Sequence, residues 1–335
     1  MKLLVTGVAG FIGMHTTLRL LAAGHEVFGI DNLNDYYDPR LKQDRLDRLL
    51  PHPGFRFFHQ DIADDKSLTK LFFKARPERV VHLAAQVGVR YSLENAMAYV
   101  HSNLVGFAAI LEACRHGGVK RLVYASSSSV YGDNAQVPFS EQDPVDHPLS
   151  LYAASKRSNE LMAHSYAHLY GLPVIGLRFF TVYGPWGRPD MAPVLFARAI
   201  KEGKTIRVFN HGNHQRDFTY VEDVVTGVVA VSCNEPNAGA SSAPPSGDQV
   251  RTSAPFRIYN IGNSAPVKLM EFLATLEQCM GKKAQIEMAD AQPGDVLDTW
   301  ADCRALERDY SYRPNTPLAE GMQRFVDWLK DYYKT

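Results

Sequence analysis

The first 180 residues alternate short apolar, β-branched runs with longer segments in which apolar residues recur every three or four positions. The short runs predict strands and the longer segments predict helices. Strands are expected at 3–6, 26–30, 56–59, 80–82, 121–125 and 174–178, and helices at 12–23, 65–74, 95–115 and 152–170. This alternation is typical of an α/β protein with a doubly wound parallel sheet.

Beyond about residue 180 the alternation breaks up, and Pro and Gly become frequent. Helices are predicted at 192–202, 268–280 and 318–330, among isolated short strands. We therefore predict one domain over 1–180 and a smaller mixed lobe over 181–335, with a segment around 206–235 returning to the first domain. Residues 236–255 are rich in Ala, Ser and Pro without a hydrophobic period, which indicates a flexible surface loop.

Composition narrows the possible functions. The 335 residues carry 36 basic and 36 acidic side chains, so the net charge is zero, which argues against bulk electrostatic binding of nucleic acid or an anionic membrane. The four cysteines are widely spaced, as expected in a reducing cytoplasm. No run of 18 apolar residues occurs, so we expect neither export nor a membrane span. No metal site is expected, because the His164 and His168 pair lacks the glutamate of a zinc motif.

A glycine-rich turn follows the first predicted strand and begins the first predicted helix. Gly7, Gly10 and Gly13 lie three residues apart, where glycine lets the backbone approach a pyrophosphate at a helix N-terminus. Asp31 ends the second strand, where its carboxylate would accept hydrogen bonds from an adenosine ribose and repel a 2′-phosphate. Although such a turn can be only a tight connection, the two features together predict a Rossmann-type domain that binds NAD rather than NADP.

A candidate catalytic group follows the fifth strand. Four serines occupy 126–129, and Tyr152 and Lys156 lie one turn apart at the start of the next helix. An ammonium beside a phenol lowers the phenol pKa and makes it a usable general base. An exposed, non-catalytic pair is the simpler interpretation of this spacing alone, but the neighbouring dinucleotide turn and serine run favour catalysis.

These motifs, with several shorter ones, carry a resemblance to a known family. The further matches are Asp31-Asn32, Asp61-Ile62, His82-Leu83-Ala84-Ala85, Asn103, the YAASK segment at 152–156 and Gln215-Arg216-Asp217-Phe218. The chain resembles the extended short-chain dehydrogenase/reductases that modify nucleotide sugars. Within that family, segments 31–38 and 178–191 resemble those of the UDP-glucuronate 4-epimerases.

The resemblance implies a role for each matching residue. Ser127 takes the place of the catalytic Ser/Thr, Tyr152 that of the base, and Lys156 that of the residue that holds the nicotinamide ribose. The implied cofactor-binding residues are Gly7, Gly10, Phe11, Ile12, Gly13, Asp31, Asn32, Asn34, Asp61, Ile62, Leu83, Ala84, Ala85, Asn103, Tyr152 and Lys156. Arg216 matches a phosphate-binding arginine of the UDP site. Asp295 belongs to a segment that resembles a second motif on the UDP side of the site. In this chain, Gln292-Pro293 stands in that segment where many relatives have Arg-Pro.

The resemblance further implies a cytoplasmic homodimer with NAD tightly bound in its oxidised form. The first domain would bind NAD and the C-terminal lobe the UDP-sugar, while helices 95–115 and 152–170 would form the subunit interface. The expected reaction interconverts UDP-glucuronate and UDP-galacturonate through a 4-keto sugar. Tyr36 and Tyr37, within the first of the two specific segments, are expected to be packing residues.

The positions after Ser127 help to choose among the reactions of the family. Related dehydratases and decarboxylases have acidic residues there, whereas this chain has Ser128 and Ser129, which disfavours elimination and decarboxylation. A uronate carboxylate would need a guanidinium clamp, for which Arg188 is the candidate and Arg90 the alternative. Ser127, Ser128, Ser129, Tyr152 and Thr181 are the other expected sugar contacts. A UDP-hexose or UDP-N-acetylhexosamine 4-epimerase, and more remotely a non-catalytic NAD sensor, remain as alternatives.

Overall fold

The computed structural model describes residues 1–134, 136–237, 254–290 and 298–334. Their main feature is a seven-stranded sheet in the order β10-β6-β5-β4-β1-β2-β3, parallel throughout. The strand order reverses at β1, where β2 lies on one side and β4 on the other. In doubly wound sheets this switch point opens a crevice at the carboxyl ends of the strands, where ligands bind.

The described strands are β1 Lys2–Thr6, β2 Glu26–Asp31, β3 Phe55–His59, β4 Arg79–His82, β5 Arg121–Ser127, β6 Val174–Phe179, β7 Thr181–Tyr183, β8 Thr205–Val208, β9 Gln215–Tyr220, β10 Phe256–Ile261, β11 Pro266–Lys268, β12 Gln285–Met288 and β13 Asp298–Thr299. Strands β7, β11 and β13 pair with β9 in a second small sheet, and β8 pairs with β12 in a third.

The described α-helices are α1 Phe11–Ala22, α2 Pro39–Asp47, α3 Asp65–Ala75, α4 Tyr91–Glu94, α5 Ala96–Tyr99, α6 Gly106–Gly117, α7 Leu151–Tyr170, α8 Ala192–Glu202, α9 Val221–Cys233, α10 Leu269–Met280, α11 Arg304–Tyr310 and α12 Leu318–Tyr332. A π-helical segment, Val100–Val105, joins α5 to α6, so that 95–117 forms one nearly continuous helical run.

Helices cover both faces of the large sheet. Along β1, Leu3 and Val5 belong to the core on one face and Leu4 to the core on the other, as the alternation of side chains in a strand requires. Helices α1 and α9 pack together on the first face, and α3, α6 and α7 cover the second. Burial on both faces explains why these strands appear in the sequence as continuous apolar runs.

The predicted α/β class and the parallel sheet are confirmed. All six predicted strands are present within about one or two residues of their expected ends, and every predicted helix is found. Helices α2, α4, α9 and α11 were not predicted, nor was strand β10, which adds a seventh strand beside β6. The short strands β7, β8, β9, β11, β12 and β13 were expected only without bounds. The division into two domains stays a prediction. The expected loop 236–255 lies mostly outside the described residues, while Asn237 at its start donates to the Arg308 carbonyl.

Within the described part of the chain, one helical stretch, Ala96–Gly117, is long and apolar enough to cross a membrane. Half of its apolar window is buried in the fold. The stretch packs against α3 and α7, which accounts for its apolar composition.

Candidate active site at the carboxyl ends of the strands

The glycine turn between β1 and α1 is built for close backbone packing. Gly7 has a φ of +74°, and a Cβ there would lie 2.8 Å from the Ala84 nitrogen in the segment after β4. A Cβ on Gly13 would overlap the Gly7 carbonyl oxygen. Gly10 caps α1 without a side-chain hydrogen bond, so the amide groups of the first turn remain available to an anion.

Asp31 lies at the end of β2 beside this turn. Its carboxylate accepts from Ala9 N at 3.0 Å and from Leu33 N at 2.9 Å, so it ties the glycine turn to the segment after β2. Burial raises the pKa of Asp31, while the two amide hydrogen bonds and the charge of Lys42 act in the opposite direction. Lys42 donates to the carbonyl and side-chain oxygens of Asn34.

The structure brings two further predicted cofactor residues together. Asn32 Nδ2 donates to Asp61 Oδ2 at 2.9 Å, and Ala63 N donates to Asp61 Oδ1 at 2.8 Å. Ile62 packs against Gly106 so closely that a Cβ on the glycine would lie 2.8 Å from its side chain. This group follows β3 and lies at the same edge of the sheet as Asp31.

Asn103 links three parts of the site. Its side chain exchanges hydrogen bonds with the main chain of Gln86 at 2.8 and 3.0 Å and donates to Ser155 Oγ at 2.9 Å. Its carbonyl oxygen accepts from Asn159 Nδ2 at 2.6 Å. Asn103 lies in the π-helical segment, where the backbone pattern departs from the α-helix and such contacts become possible.

Leu83, Ala84 and Ala85 follow β4 along the glycine turn. Leu83 N donates to the Thr6 carbonyl at 3.2 Å, and Ala84 N donates to Thr6 Oγ1 at 3.1 Å. These contacts hold the ends of β1 and β4 side by side, and Phe11 and Ile12 begin α1, the helix that follows the glycine turn.

The catalytic candidates meet where β5 and α7 adjoin. Ser150 caps α7 by accepting from Ala153 N at 3.1 Å, which fixes the helix start immediately before Tyr152. Ser127 ends β5, and its hydroxyl accepts from Ser129 N at 3.2 Å. The Ser127 hydroxyl acts on Tyr152 and opposes the rise of its pKa. The preceding serine, Ser126, instead donates to the buried Glu160 at 2.7 Å, so Ser127 is the serine that faces the tyrosine.

The groups that act on the base differ from the sequence-based expectation. Burial raises the pKa of Tyr152, and the hydrogen bond with Ser127 and the charge of Arg188 counteract it. Lys156, to which the sequence analysis assigned this effect, donates to the Ala125 carbonyl at 2.8 Å. Burial lowers the pKa of Lys156 to about 8.

Arg188 is the cation whose charge lowers the pKa of the predicted base. Its Nε and Nη2 donate to the two oxygens of Asp190 at 3.1 and 2.5 Å. Burial acts to lower the pKa of Arg188, but Asp190 raises it above its usual value, so the guanidinium remains charged. Asp190 also accepts from the Tyr36 hydroxyl at 2.9 Å.

The other predicted sugar contacts are spread around this centre. Ser128 and Ser129 lie in a 3₁₀ turn after β5. Thr181 pairs with Phe218, two residues along β9 from Arg216. Arg90 precedes α4, with its guanidinium 5.9 Å from the centre of the Phe209 ring. Asp295 lies outside the described residues.

Sequence analysis missed several residues that hold the site together. Arg45 is fully buried and donates to the Ala9 carbonyl of the glycine turn, to the Tyr37 hydroxyl and to the Trp186 carbonyl. Tyr36 and Tyr37 were expected only to pack, but both use their hydroxyl groups. The one feature of the sequence that pointed to a role for the two tyrosines was their place in segment 31–38, which resembles that of the UDP-glucuronate 4-epimerases.

These features fit a dinucleotide. The turn offers backbone amides without bulky side chains, Asp31 offers a buried carboxylate, and the phenol and ammonium needed for chemistry on a hydroxyl lie on α7, beside the end of β5 in the same sheet. Among the described residues, no group of three or more His, Cys, Asp and Glu side chains is placed to hold a metal ion.

Comparisons with known proteins show which family and which solved structures the chain is similar to. A model of the NAD dependent epimerase/dehydratase family matches residues 3–262. The chain is 52% identical over 336 residues to Protein CapI of Staphylococcus aureus, with 100% of both chains covered. It is 46% identical over 339 residues to UDP-glucuronate 4-epimerase 2 of Arabidopsis thaliana, covering 99% of this chain and 76% of that protein. A solved UDP-glucuronic acid 4-epimerase from Bacillus cereus, in complex with UDP-glucuronic acid and NAD, has a TM-score of 0.87 at 32% identity, covering 99% and 100%.

Proposed function

Because the chain belongs to the NAD dependent epimerase/dehydratase family, we propose that it interconverts UDP-glucuronate and UDP-galacturonate by epimerisation at carbon 4. It is an isomerase, and NAD is its cofactor. The oxidised cofactor stays bound between turnovers and is not consumed.

The observation that carries the choice of a uronate is the position of Arg188 beside Tyr152. The charge of Arg188 lowers the pKa of Tyr152, and Tyr152 in turn acts on Arg188. The neighbouring rings of Tyr91 and Tyr99 also connect Tyr152 to Tyr36, which contacts the Arg188 partner Asp190, so both groups belong to the same part of the site. In glucuronate the carboxylate is attached to carbon 5, next to the carbon 4 hydroxyl. A base for that hydroxyl and a cation for that carboxylate must therefore be neighbours.

The residues of this chain share the work of the reaction. NAD, when bound, supplies the reversible acceptor for the hydride of carbon 4. Tyr152 accepts the proton of the 4-hydroxyl as the 4-keto sugar forms, and it returns the proton after the sugar has turned its other face. Ser127 supports the phenol by its hydrogen bond. Lys156 would hold the nicotinamide ribose, from its position one turn along α7.

Arg188 has a second task during the 4-keto stage. The carboxylate is then β to a ketone and leaves as carbon dioxide if its bond aligns with the carbonyl π system. A forked guanidinium holds a carboxylate in one plane and can prevent this alignment. We assign this clamp to Arg188 rather than Arg90, whose guanidinium lies over the Phe209 ring.

Proton NMR of the sugar tests the function directly. The purified protein is incubated with UDP-glucuronate, without added NAD, and we expect UDP-galacturonate to accumulate until both sugars are present at equilibrium. Starting from UDP-galacturonate should give the same final ratio. A UDP-pentose product would show a decarboxylase instead, and conversion of UDP-glucose but not of UDP-glucuronate would refute the uronate assignment.

We also propose that the protein is a cytoplasmic homodimer. Exposed apolar side chains lie along the two helices expected at the interface: Met97 and Val105 on the 95–117 run, and Leu161 and Leu169 on α7. Leu161 and Leu169 are eight residues apart on α7, a spacing that places both side chains on one face of the helix. The two helical segments are neighbours in the fold, so a second copy could cover both and form a four-helix interface.

A charge in this apolar stripe should dissociate the dimer. We expect Leu161→Asp to give a monomer at micromolar concentration, because a two-fold interface contains the substitution twice and each leucine loses about 1.5–3 kcal/mol of burial. Light scattering coupled to size-exclusion chromatography measures the mass. Phe73→Asp is the matched control, since Phe73 is also exposed but lies on α3. A monomeric wild-type protein would contradict the proposed dimer.

A further inference from the structure

The two segments that resemble those of UDP-glucuronate 4-epimerases meet at one hydrogen-bonded group. Tyr36, from segment 31–38, donates its hydroxyl hydrogen to Asp190, from segment 178–191, across 154 positions of sequence. Asp190 in turn accepts two hydrogen bonds from Arg188. The order of contacts is therefore Tyr36 to Asp190 to Arg188, and the charge of Arg188 acts on Tyr152.

Asp190 occupies only part of the guanidinium of Arg188. An arginine has five N–H donors, and Asp190 accepts from Nε and from one side of Nη2. The edge formed by Nη1 and the other side of Nη2 is a second fork of the kind that matches a carboxylate. The side chains of Arg188 and Asp190 are only 20% and 31% exposed, so water competes weakly for these bonds.

From this arrangement we propose that Asp190 and Tyr36 are positioning residues for the uronate carboxylate. Asp190 holds one edge of the Arg188 guanidinium and thereby aims the other edge at the substrate, and Tyr36 keeps Asp190 in place. The inference rests on the proposed function, because it concerns how the same arginine selects a uronate over a neutral hexose.

The charge states suit this arrangement. Burial and the negative charge of Asp190 raise the pKa of Tyr36 to about 12, so its hydroxyl remains a donor at neutral pH. Burial acts to raise the pKa of Asp190, but Arg188 lowers it below its usual value. The phenol also lies directly against the Gly88 backbone, because a Cβ on Gly88 would overlap the Tyr36 hydroxyl oxygen.

The test compares binding of sugars with and without the carboxylate. Wild-type protein, Tyr36→Phe and Asp190→Asn, each with the NAD retained on purification, are titrated calorimetrically with UDP-glucuronate, UDP-glucose and UDP. We expect Tyr36→Phe to weaken UDP-glucuronate binding about tenfold and Asp190→Asn to weaken it further, because hydrogen bonds that orient a charged group are lost. Binding of UDP-glucose and UDP should stay within about twofold of wild type.

Tyr91→Phe is the matched control. Its ring centroid lies 4.8 Å from that of Tyr36, but its hydroxyl accepts from Asn95 and takes no part in the contacts of Arg188. We expect all three ligands to bind this variant as they bind wild type. An equal loss for the three ligands in Tyr36→Phe, or no loss at all, would overturn the proposal.

Turnover of UDP-glucuronate is followed separately by NMR. In Tyr36→Phe and Asp190→Asn we expect the KM for UDP-glucuronate to rise, as the binding constants do, and kcat to change much less. A wild-type protein that binds UDP-glucuronate without epimerising it would refute the proposed function. The ratio of affinities for UDP-glucuronate and UDP-glucose would still decide the roles of Tyr36 and Asp190.

Discussion

Replacement of Tyr152 by Phe should reduce turnover of UDP-glucuronate by about 10²–10⁴-fold, the usual contribution of a general base. The variant removes a single oxygen and leaves the ring in place, packed 6.1 Å from that of Tyr99. We expect the protein to retain its NAD, because the glycine turn, Asp31 and Asp61 are untouched. Loss of activity together with retained cofactor is the result that identifies a base.

Two measurements on the same preparation check this expectation. NMR gives the rate of epimerisation, and the nucleotide released by denaturation gives the NAD bound per chain. Tyr166→Phe is the control, since it removes a phenol from the same helix at a hydroxyl that donates to Glu112. If Tyr152→Phe loses its NAD as well, the loss of turnover follows from the missing cofactor and the assignment of Tyr152 as the base fails.

The strands and the glycine turn could be predicted because their signals are local. Strand β1 has a continuous run of apolar residues. Gly7 and Gly13 must be glycine because a Cβ at either position would clash, at Gly13 with the Gly7 carbonyl oxygen and at Gly7 with the segment after β4. The elements that were missed carry weaker or mixed patterns. Helix α2 has only two buried leucines, Leu41 and Leu46, among charged residues, and its stability depends on the buried Arg45.

Helix α9 and strand β10 were missed for other reasons. Helix α9 has its buried valines at a helical spacing, at 221, 224, 225, 228 and 231, but Val is β-branched and equally typical of strands, so the segment did not stand out as a helix. Strand β10 follows the Ala-, Ser- and Pro-rich segment and joins the sheet beside β6, 82 positions away at Phe256 and Val174. The elements against which α9 and β10 pack are distant in sequence, so the local sequence gives no sign of them.

The catalytic tyrosine and serine could be named from the sequence, but not the groups that tune them. A motif gives the spacing of Tyr152 and Lys156 along one helix, which suggested that Lys156 would lower the pKa of the tyrosine. In the folded protein Lys156 donates to the Ala125 carbonyl, and Arg188 supplies the nearby positive charge. Contacts between distant segments therefore decide the electrostatics of the site, and only the fold reveals them.

Arg188→Ala gives the sharpest test of the uronate assignment. We expect the KM for UDP-glucuronate to rise by roughly 10²-fold, because the substrate carboxylate would lose its guanidinium partner and face the unpaired charge of Asp190. Part of the turnover should now yield carbon dioxide and a UDP-pentose, since the carboxylate of the 4-keto sugar is free to align with the ketone. NMR of the sugar and trapping of released carbon dioxide measure the two products.

The pH dependence supplies a second measurement on the same variant. Arg188 lowers the pKa of Tyr152, so its removal should raise that pKa, and the acidic limb of the kcat/KM profile should move to higher pH. Arg304→Ala is the matched control, because Arg304 makes a similar two-bond pair with Asp302 on a distant, exposed helix start. An Arg188→Ala enzyme with unchanged KM, products and pH profile would exclude Arg188 as the clamp and return Arg90 to consideration.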